Sequence, residues 1–164
     1  MSAVMDVTPK TDKIDTGVKD PKAVAKALGE ALADTYRLLF KSHAYHWNVE
    51  GPLFYSLHTL TEAQYQDLFA AADELAERIR ALGQLAPATF DELTTLSTIK
   101  DLKSMPSAQE MIEDLASDHE MLAKKMHAVA ELAEKHKDIV TADMVTARSG
   151  THEKAAWMLR ATAS

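Results

Sequence analysis

Residues 43–78 read HAYHWNVEGPLFYSLHTLTEAQYQDLFAAADELAER and contain the features that decide the fold. From Pro52 onward, apolar residues recur at steps of three and four, which predicts an amphipathic helix that ends near Leu82. The apolar positions are Phe54, Leu57, Leu68, Ala72, Leu75, Ile79 and Leu82. The Gly51-Pro52 pair before them predicts the end of a preceding helix and a tight turn. This stretch is therefore expected to join two long helices.

Polar residues on the second of these helices have the spacing of metal ligands. His58 and Glu62 are four residues apart, as are Asp73 and Glu77, so each pair presents two side chains on one face. The two pairs are offset by fifteen residues, which corresponds to roughly 22 Å along a helix axis. Because metal–ligand bonds are about 2 Å long, one straight helix cannot bring both pairs to the same ion.

A second copy of the helix can complete such a site. Fifteen residues turn through ~60° net, so both pairs lie on broadly the same side of the helix. A two-fold partner crossing antiparallel near Asp67 and Leu68 sets each His58/Glu62 pair opposite an Asp73/Glu77 pair, and generates the site twice. Two imidazoles, counting His46, and three carboxylates suit iron, manganese, cobalt or zinc. The alternative is that these residues are solvated carboxylates and packed histidines.

The remaining sequence predicts an all-α domain. Residues 1–20 are polar and aperiodic, and we expect a flexible tail there, followed by one domain over residues 21–164. Pro21 suits a first helical turn, and the apolar spacing that follows predicts the helix that ends near Gly51. Nothing in the sequence is typical of a strand.

The second half of the chain predicts two more long helices. The connector 83–106 is too long for a tight hairpin, and its segment 90–96 is a candidate for a short helix. Ser107 and Glu110 match a capping box that begins the third long helix, and the fourth is expected from about Asp138. The prediction is a ferritin-like four-helix bundle with a long crossover containing a short helix.

Composition limits the classes of function. The chain has 164 residues, a formal charge of −7 and no cysteine, which excludes disulfides and thiolate metal sites. No apolar run approaches the ~20 residues of a membrane span, and no secretory signal is recognisable, so we expect a cytoplasmic protein. An acidic chain has the wrong sign for tight DNA binding, which we predict to be weak or absent.

The run AYHWNVEGPLFYSLH at residues 44–58, followed by DELAER at residues 73–78, resembles the signature of the Dps family, the DNA-binding proteins from starved cells. The likeness covers about residues 21–161. It implies a hollow dodecameric shell, built from dimers, that oxidises Fe²⁺ preferentially with hydrogen peroxide. The ferric product is stored inside, which protects against oxidative stress. The di-iron ferroxidase centre of the family lies across the dimer two-fold, in agreement with the helix-offset argument.

The resemblance also assigns roles to individual residues. His46 would bind one iron together with Asp73 and Glu77 of the partner subunit. His58 and Glu62 would bind the second, with Glu77 as the bridge; many family members have Asp where this chain has Glu62. Each intersubunit site thus takes two iron ions as Fe²⁺/Fe³⁺.

Further positions match family features outside the ligand set. Trp47 resembles the family tryptophan beside the centre, where an indole can absorb stray oxidising equivalents; a large core residue is the alternative interpretation. The segment 138–143 resembles the acidic threefold pores of such shells, with Asp138 and Asp143 as pore candidates. Asp138 also fits a helix N-cap.

Three other functions were weighed. A ferritin with an intrachain di-iron centre needs Glu-x-x-His on two helices, and no glutamate here has histidine three residues later. A nucleoid-compacting DNA-binding protein with little ferroxidase activity is the main alternative, disfavoured by charge. A haem-binding bundle lacks an obvious axial ligand. The sequence thus favours a ferroxidase.

Overall fold

The computed structural model describes residues 7–163, and their regular structure consists of five helices. These are α1 (Pro21–Asn48), α2 (Phe54–Ala81), α3 (Phe90–Leu96), α4 (Ala108–Lys135) and α5 (Ile139–Thr162). No strand occurs within residues 7–163. The predicted all-α bundle with a short helix in its crossover is confirmed.

Local signals in the sequence begin the helices. Asp20 caps α1 by accepting a hydrogen bond from the Ala23 N–H at 3.0 Å, with proline in the first turn. Ser107 and Glu110 form the predicted capping box of α4. A second capping box, which the sequence analysis did not identify, begins α3 at Thr89. Each cap satisfies backbone N–H groups that a helix start leaves unpaired.

Two antiparallel hairpins, α1–α2 and α4–α5, form the bundle, and the contacts between them fix its topology. Tyr45 on α1 pairs with Asp114 on α4. One turn earlier on α1, Lys41 pairs with Asp118, which is one turn later on α4, so these two helices are antiparallel. Because α1 is antiparallel to both α2 and α4, the latter two run parallel. The crossover must therefore travel the length of the bundle, which is the ferritin-like arrangement.

A buried carboxylate ties the crossover to the bundle. Asp34 on α1 is fully buried; it accepts hydrogen bonds from the Ser97 hydroxyl at 2.7 Å and the Thr98 N–H at 2.6 Å, and forms an ion pair with Lys125. Burial alone would raise the pKa of Asp34, but the hydrogen bonds from Lys125, Ser97 and Thr98 outweigh it and the pKa is lowered. The charged form of Asp34 is thus a structural element.

The core consists mainly of large aliphatic side chains, which on α2 are at the predicted apolar positions. Fully buried examples are Leu28, Leu32, Leu57, Leu68, Leu75, Met111, Leu115 and Leu122. Each such side chain contributes about 1.5–3 kcal/mol relative to an exposed one. Ile139 and Met158 of the last helix are also apolar, but they are 77% and 38% exposed. No helix among residues 7–163 combines the length and the apolar character needed to cross a bilayer.

The segment before α1 lies against the ends of the helices. The Asp12 N–H donates to the Gly83 carbonyl at 2.8 Å, and the Lys19 N–H donates to the His136 carbonyl at 2.9 Å. The first six residues of the predicted tail lie outside the described residues. Its flexibility, and the domain boundary at residue 21, stay predictions.

Candidate metal centre

The two predicted histidine ligands lie face to face. His46 is in the last turn of α1 and His58 in the second turn of α2, with ring centroids 3.7 Å apart and planes inclined by 17°. Each Nδ1 lies 2.8 Å from the backbone carbonyl oxygen of the other histidine. Because a carbonyl only accepts, both Nδ1 atoms carry the proton. Each Nε2 therefore keeps a lone pair, which is the tautomer that a metal ligand needs.

The turn between the helices creates this arrangement. Gly51 has φ +88°, in the left-handed region that favours glycine, and its carbonyl accepts from the Phe54 N–H at 3.0 Å. The chain thereby reverses within five residues, between Asn48 and Phe54, and brings the end of α1 beside the start of α2. The ring of Phe54 stacks on His58 with centroids 4.9 Å apart. The histidine pair is thus positioned by local structure of a single chain.

A small group of aromatic rings surrounds His46. Tyr65 contacts its ring edge-on at 5.3 Å, and His43 lies between Tyr65 and Trp47 at centroid distances of 4.2 and 4.1 Å. Trp47 is 56% exposed in the single chain, so it is not a core residue of the subunit. Tyr65 was not among the predicted site residues; its position seven residues after His58, on the same helix face, was the available signal.

The predicted carboxylate ligands lie elsewhere on α2. Glu62 is half-buried one turn after His58, whereas Asp73 and Glu77 are exposed and roughly 22 Å along the axis from the first pair. Within residues 7–163 of one chain, no three His, Cys, Asp or Glu side chains are grouped so that they could hold a metal ion. The structure therefore brings His46 and His58 together, with Glu62 one helical turn away on α2. Asp73 and Glu77 lie apart from all three.

An exposed aromatic residue lies between the two ligand pairs. Phe69 is 65% exposed; it follows His58 by eleven residues, or ~20° of net rotation, and so shares the face of the ligands. At this level of α2, Leu68 is buried and Asp67 pairs with Arg148, so the residues that a partner helix can reach are Gln66, Phe69 and Ala70. Exposed aromatic side chains on such a face favour an interaction surface.

The two pore candidates differ in their surroundings. Asp138 is 1% exposed and caps α5: it accepts from the Thr141 N–H at 2.9 Å and pairs with Arg78 at 2.7 Å. Asp143 is exposed in the second turn of α5. Asp138 therefore has a structural role in the subunit, and a pore function of either residue stays a prediction.

A buried histidine pair was also missed. His119 on α4 and His152 on α5 are 3% and 0% exposed, with their Nδ1 atoms 2.9 Å apart. Both lie on the apolar stripes of their helices, which was the signal for burial. Burial, the main cause, lowers the pKa of His119 to about 4 and that of His152 to about 2. The Arg148 guanidinium acts in the same direction on both.

Comparisons with known proteins agree with this geometry. Residues 25–164 match the family model of the ferritin-like domain. The chain is 36% identical over 140 residues to "DNA protection during starvation protein 2" of Bacillus anthracis, a match covering 85% of this chain and 96% of the relative.

Solved structures agree as well. Dps from Thermosynechococcus elongatus is 33% identical, with a TM-score of 0.84 over 87% of this chain and 91% of the other. The Dps protein from Vibrio cholerae, described as a member of a broad superfamily of ferritin-like diiron-carboxylate proteins, is 28% identical, with a TM-score of 0.84 over 95% of this chain and 98% of the other. With its helix order, its crossover and its paired histidines, the chain belongs to the Dps family of ferritin-like proteins.

Proposed function

We propose that the protein is a ferroxidase that oxidises Fe²⁺ at di-iron centres on a dimer interface and stores the ferric product. The observation that carries this proposal is the reciprocal hydrogen bonding of His46 and His58, which directs the Nδ1–H of each ring to a carbonyl and leaves the Nε2 of a neutral ring available to a metal ion. Metal-binding histidines typically have their other ring nitrogen fixed by a carbonyl or carboxylate in this way. Imidazole nitrogens and carboxylates together suit Fe²⁺, which is here the substrate.

The missing half of each centre is supplied by a second subunit. Asp73 and Glu77 are exposed on the same side of α2 as Glu62 and Phe69, so an antiparallel partner helix presents them to the histidines. Phe69 then becomes buried in the contact. In this arrangement His46, Asp73 and Glu77 hold one iron, His58 and Glu62 hold the other, and Glu77 lies between them. Three carboxylates offset most of the charge of two Fe²⁺ ions.

Hydrogen peroxide is the proposed oxidant. Two ferrous ions provide the two electrons that reduce one peroxide, with two protons, to two water molecules. Consuming Fe²⁺ and peroxide together removes both reagents that generate hydroxyl radicals, so the physiological role is protection against oxidative stress. We further propose a cytoplasmic dodecamer, with Trp47 next to each centre and Asp143 near the iron-entry pores.

DNA binding is the alternative role. Phosphate contacts depend on clustered Lys and Arg, whereas this chain has a formal charge of −7. We therefore propose weak or absent DNA binding at neutral pH. Retention of plasmid in a gel shift at low salt would favour the alternative.

An anaerobic Fe²⁺ titration followed by peroxide or oxygen tests the ferroxidase proposal. Asp73→Ala is expected to abolish rapid oxidation and to leave the helix content measured by circular dichroism unchanged, because Asp73 is exposed. Glu74→Ala is the matched control: Glu74 is also an exposed carboxylate, but ~100° further around α2, so its loss should leave the rate intact. Equal rates for Asp73→Ala and the parent would refute the site.

A further inference from the structure

A layer of polar residues crosses the middle of the subunit. Each long helix contributes one member, and each member is at most 7% exposed. The members are Ser42 on α1, Gln64 on α2, His119 on α4 and His152 on α5. We call these four residues the polar layer. None of them belongs to the metal centre described above.

Contacts of the members and their neighbours show that the four lie at one level of the bundle. His119 and His152 contact directly, with their Nδ1 atoms 2.9 Å apart. On α1, Lys41 pairs with Asp118 at 2.5 Å. Because α1 and α4 are antiparallel, Ser42 and His119 each lie one residue from this pair in opposite directions, only about 3 Å apart along the bundle.

Helix α2 joins the layer at the same height. Tyr65 stacks on His43 at 4.2 Å. Because α1 and α2 are antiparallel, the preceding residues Gln64 and Ser42 lie to either side of this contact, about 3 Å apart along the bundle. Asp67 pairs with Arg148, and because α2 and α5 are antiparallel, one turn back along α2 from Asp67 corresponds to one turn forward along α5, at His152. Gln64 therefore lies level with His152.

The polar layer contains buried atoms to which no group among residues 7–163 hydrogen-bonds. They are Ser42 Oγ, Gln64 Oε1 and Nε2, His119 Nε2 and His152 Nε2, with Arg148 Nε beside them. Leaving one buried donor or acceptor unsatisfied already costs a sizeable part of the stability of a domain. Six such atoms in one region therefore require partners that are not protein groups.

The chemistry of these atoms restricts what the partner is. In the His119–His152 hydrogen bond one Nδ1 donates and the other accepts, so one ring presents an Nε2–H and the other an Nε2 lone pair. The Gln64 amide likewise presents a donor and an acceptor. A partner must both donate and accept.

Charge further excludes ionic partners. The charged groups beside the histidines are Arg148 on α5 and Asp67 on α2, which form two hydrogen bonds at 3.0 and 2.7 Å and offset each other. Ser42, the α1 member of the layer, carries no charge. A divalent cation would thus have no carboxylate of its own in the layer, and an anion no free counter-charge. A small neutral hydroxylic molecule fits both restrictions.

We propose that the polar layer is a binding site for buried water, occupied by about two molecules that bridge Gln64 and Ser42 to the outward nitrogens of the histidine pair. A buried water typically makes ~3 hydrogen bonds, so about two satisfy the six atoms. The subunit core is therefore hydrated at its centre.

A high-resolution crystal structure of the full chain tests the site directly. Water peaks are expected within hydrogen-bond distance of both Nε2 atoms and of the Gln64 amide, without anomalous signal. Side chains that instead hydrogen-bond one another in a dry layer would overturn the proposal. An anomalous peak from a metal ion in the layer would overturn it as well.

Thermal unfolding provides a second test that does not depend on crystals. His152→Leu alone should lower Tm, because it leaves water and Gln64 without a partner. The combined variant Gln64→Leu, His119→Leu, His152→Leu should regain much of that loss, because the hydrogen-bonding groups are removed together. His127→Leu, at an exposed position, is the matched control and should change Tm little. Losses that simply add from one substitution to three would contradict a hydrated layer.

Discussion

Acidification should destabilise the subunit well above the pH at which carboxylates are protonated. The perturbation acts on His119 and His152, which are buried as a neutral pair beside Arg148. Burial lowers the pKa of both below the ordinary value of 6.5, to about 4 and about 2. Between those values and 6.5 the unfolded chain binds more protons than the folded one. Stability is therefore lost as pH falls below about 6.5.

The size of the effect follows from linkage. At pH 5 both histidines are still neutral in the folded subunit but protonated in the unfolded chain, because this pH is 1.5 units below the ordinary pKa of 6.5. At about 1.36 kcal/mol per unit, each contributes a loss of about 2 kcal/mol, and the pair about 4 kcal/mol between pH 7 and pH 5. For a domain with a total stability of about 5–15 kcal/mol this is a large fraction.

Urea unfolding at pH 7, 6 and 5, at one protein concentration, measures this loss. The variant His119→Gln, His152→Gln removes both titrating groups and keeps polar side chains in place, so its stability should change little over the same range. His127→Gln is the control, since the His127 side chain is 59% exposed and lies 3.2 Å from the carboxylate of Glu153, which is equally exposed. Burial raises the pKa of Asp118, so this residue favours the folded state as the pH falls, opposite to the histidines. Asp118 is present in all three proteins and does not affect their comparison.

Equal pH dependence of the parent and the double glutamine variant would refute this reasoning. It would mean that the histidine pair is solvated or protonated in the folded subunit. A flattened dependence in His127→Gln would refute it equally, because the effect would then arise at the surface.

Two further predictions concern the ends of the helices. Arg78→Ala leaves the buried Asp138 carboxylate without its ion pair, and should lower the free energy of unfolding in urea by about 3–5 kcal/mol. Arg80→Ala is the control: Arg80 is exposed, so its loss should cost less than about 1 kcal/mol. Similar losses in the two variants would contradict a structural role for Asp138. Gly83→Ala introduces a side chain at φ +79°, where its Cβ would overlap the Asp12 carbonyl oxygen. It should release the segment before α1 and speed tryptic cleavage at Lys10 and Lys13, whereas Gly150→Ala, in open space, should leave the cleavage rate unchanged.

Much of the fold could be predicted because its signals are local. The Gly51-Pro52 turn and the Ser107 capping box act within a few residues, and the helices begin and end there as expected. The short helix at Phe90–Leu96 was predicted with the same bounds. The long crossover then left the ferritin-like topology as the arrangement that fits.

Contacts between distant residues were less accessible. His119 and His152 are 33 positions apart, and no local pattern indicates that their rings meet in the core. The mutual hydrogen bonds of His46 and His58 depend on the exact course of the turn between them. Met158 shows the opposite error: its spacing suggested core, yet it is partly exposed because periodicity does not state whether an apolar side faces the subunit or a neighbour.

The ligand spacing on α2 was more informative than any single residue. The fifteen-residue offset between His58 and Asp73 indicated from the sequence that one chain supplies only part of a centre. In the structure, the histidines are already positioned and the carboxylates are exposed on the same helix. The shared centre itself depends on an interface between subunits, which a single chain cannot reveal.

Complementation between two inactive variants tests the shared centre most directly. Co-expressed His58→Ala and Asp73→Ala subunits form mixed dimers in which one of the two centres combines an intact histidine half with an intact carboxylate half. Random pairing makes about one quarter of all centres complete, so about a quarter of the parent ferroxidase rate should return. Co-expressed His58→Ala and His46→Ala, which damage the same half, should restore nothing. No recovery in the first mixture, with mixed dimers present, would contradict a centre built by two subunits.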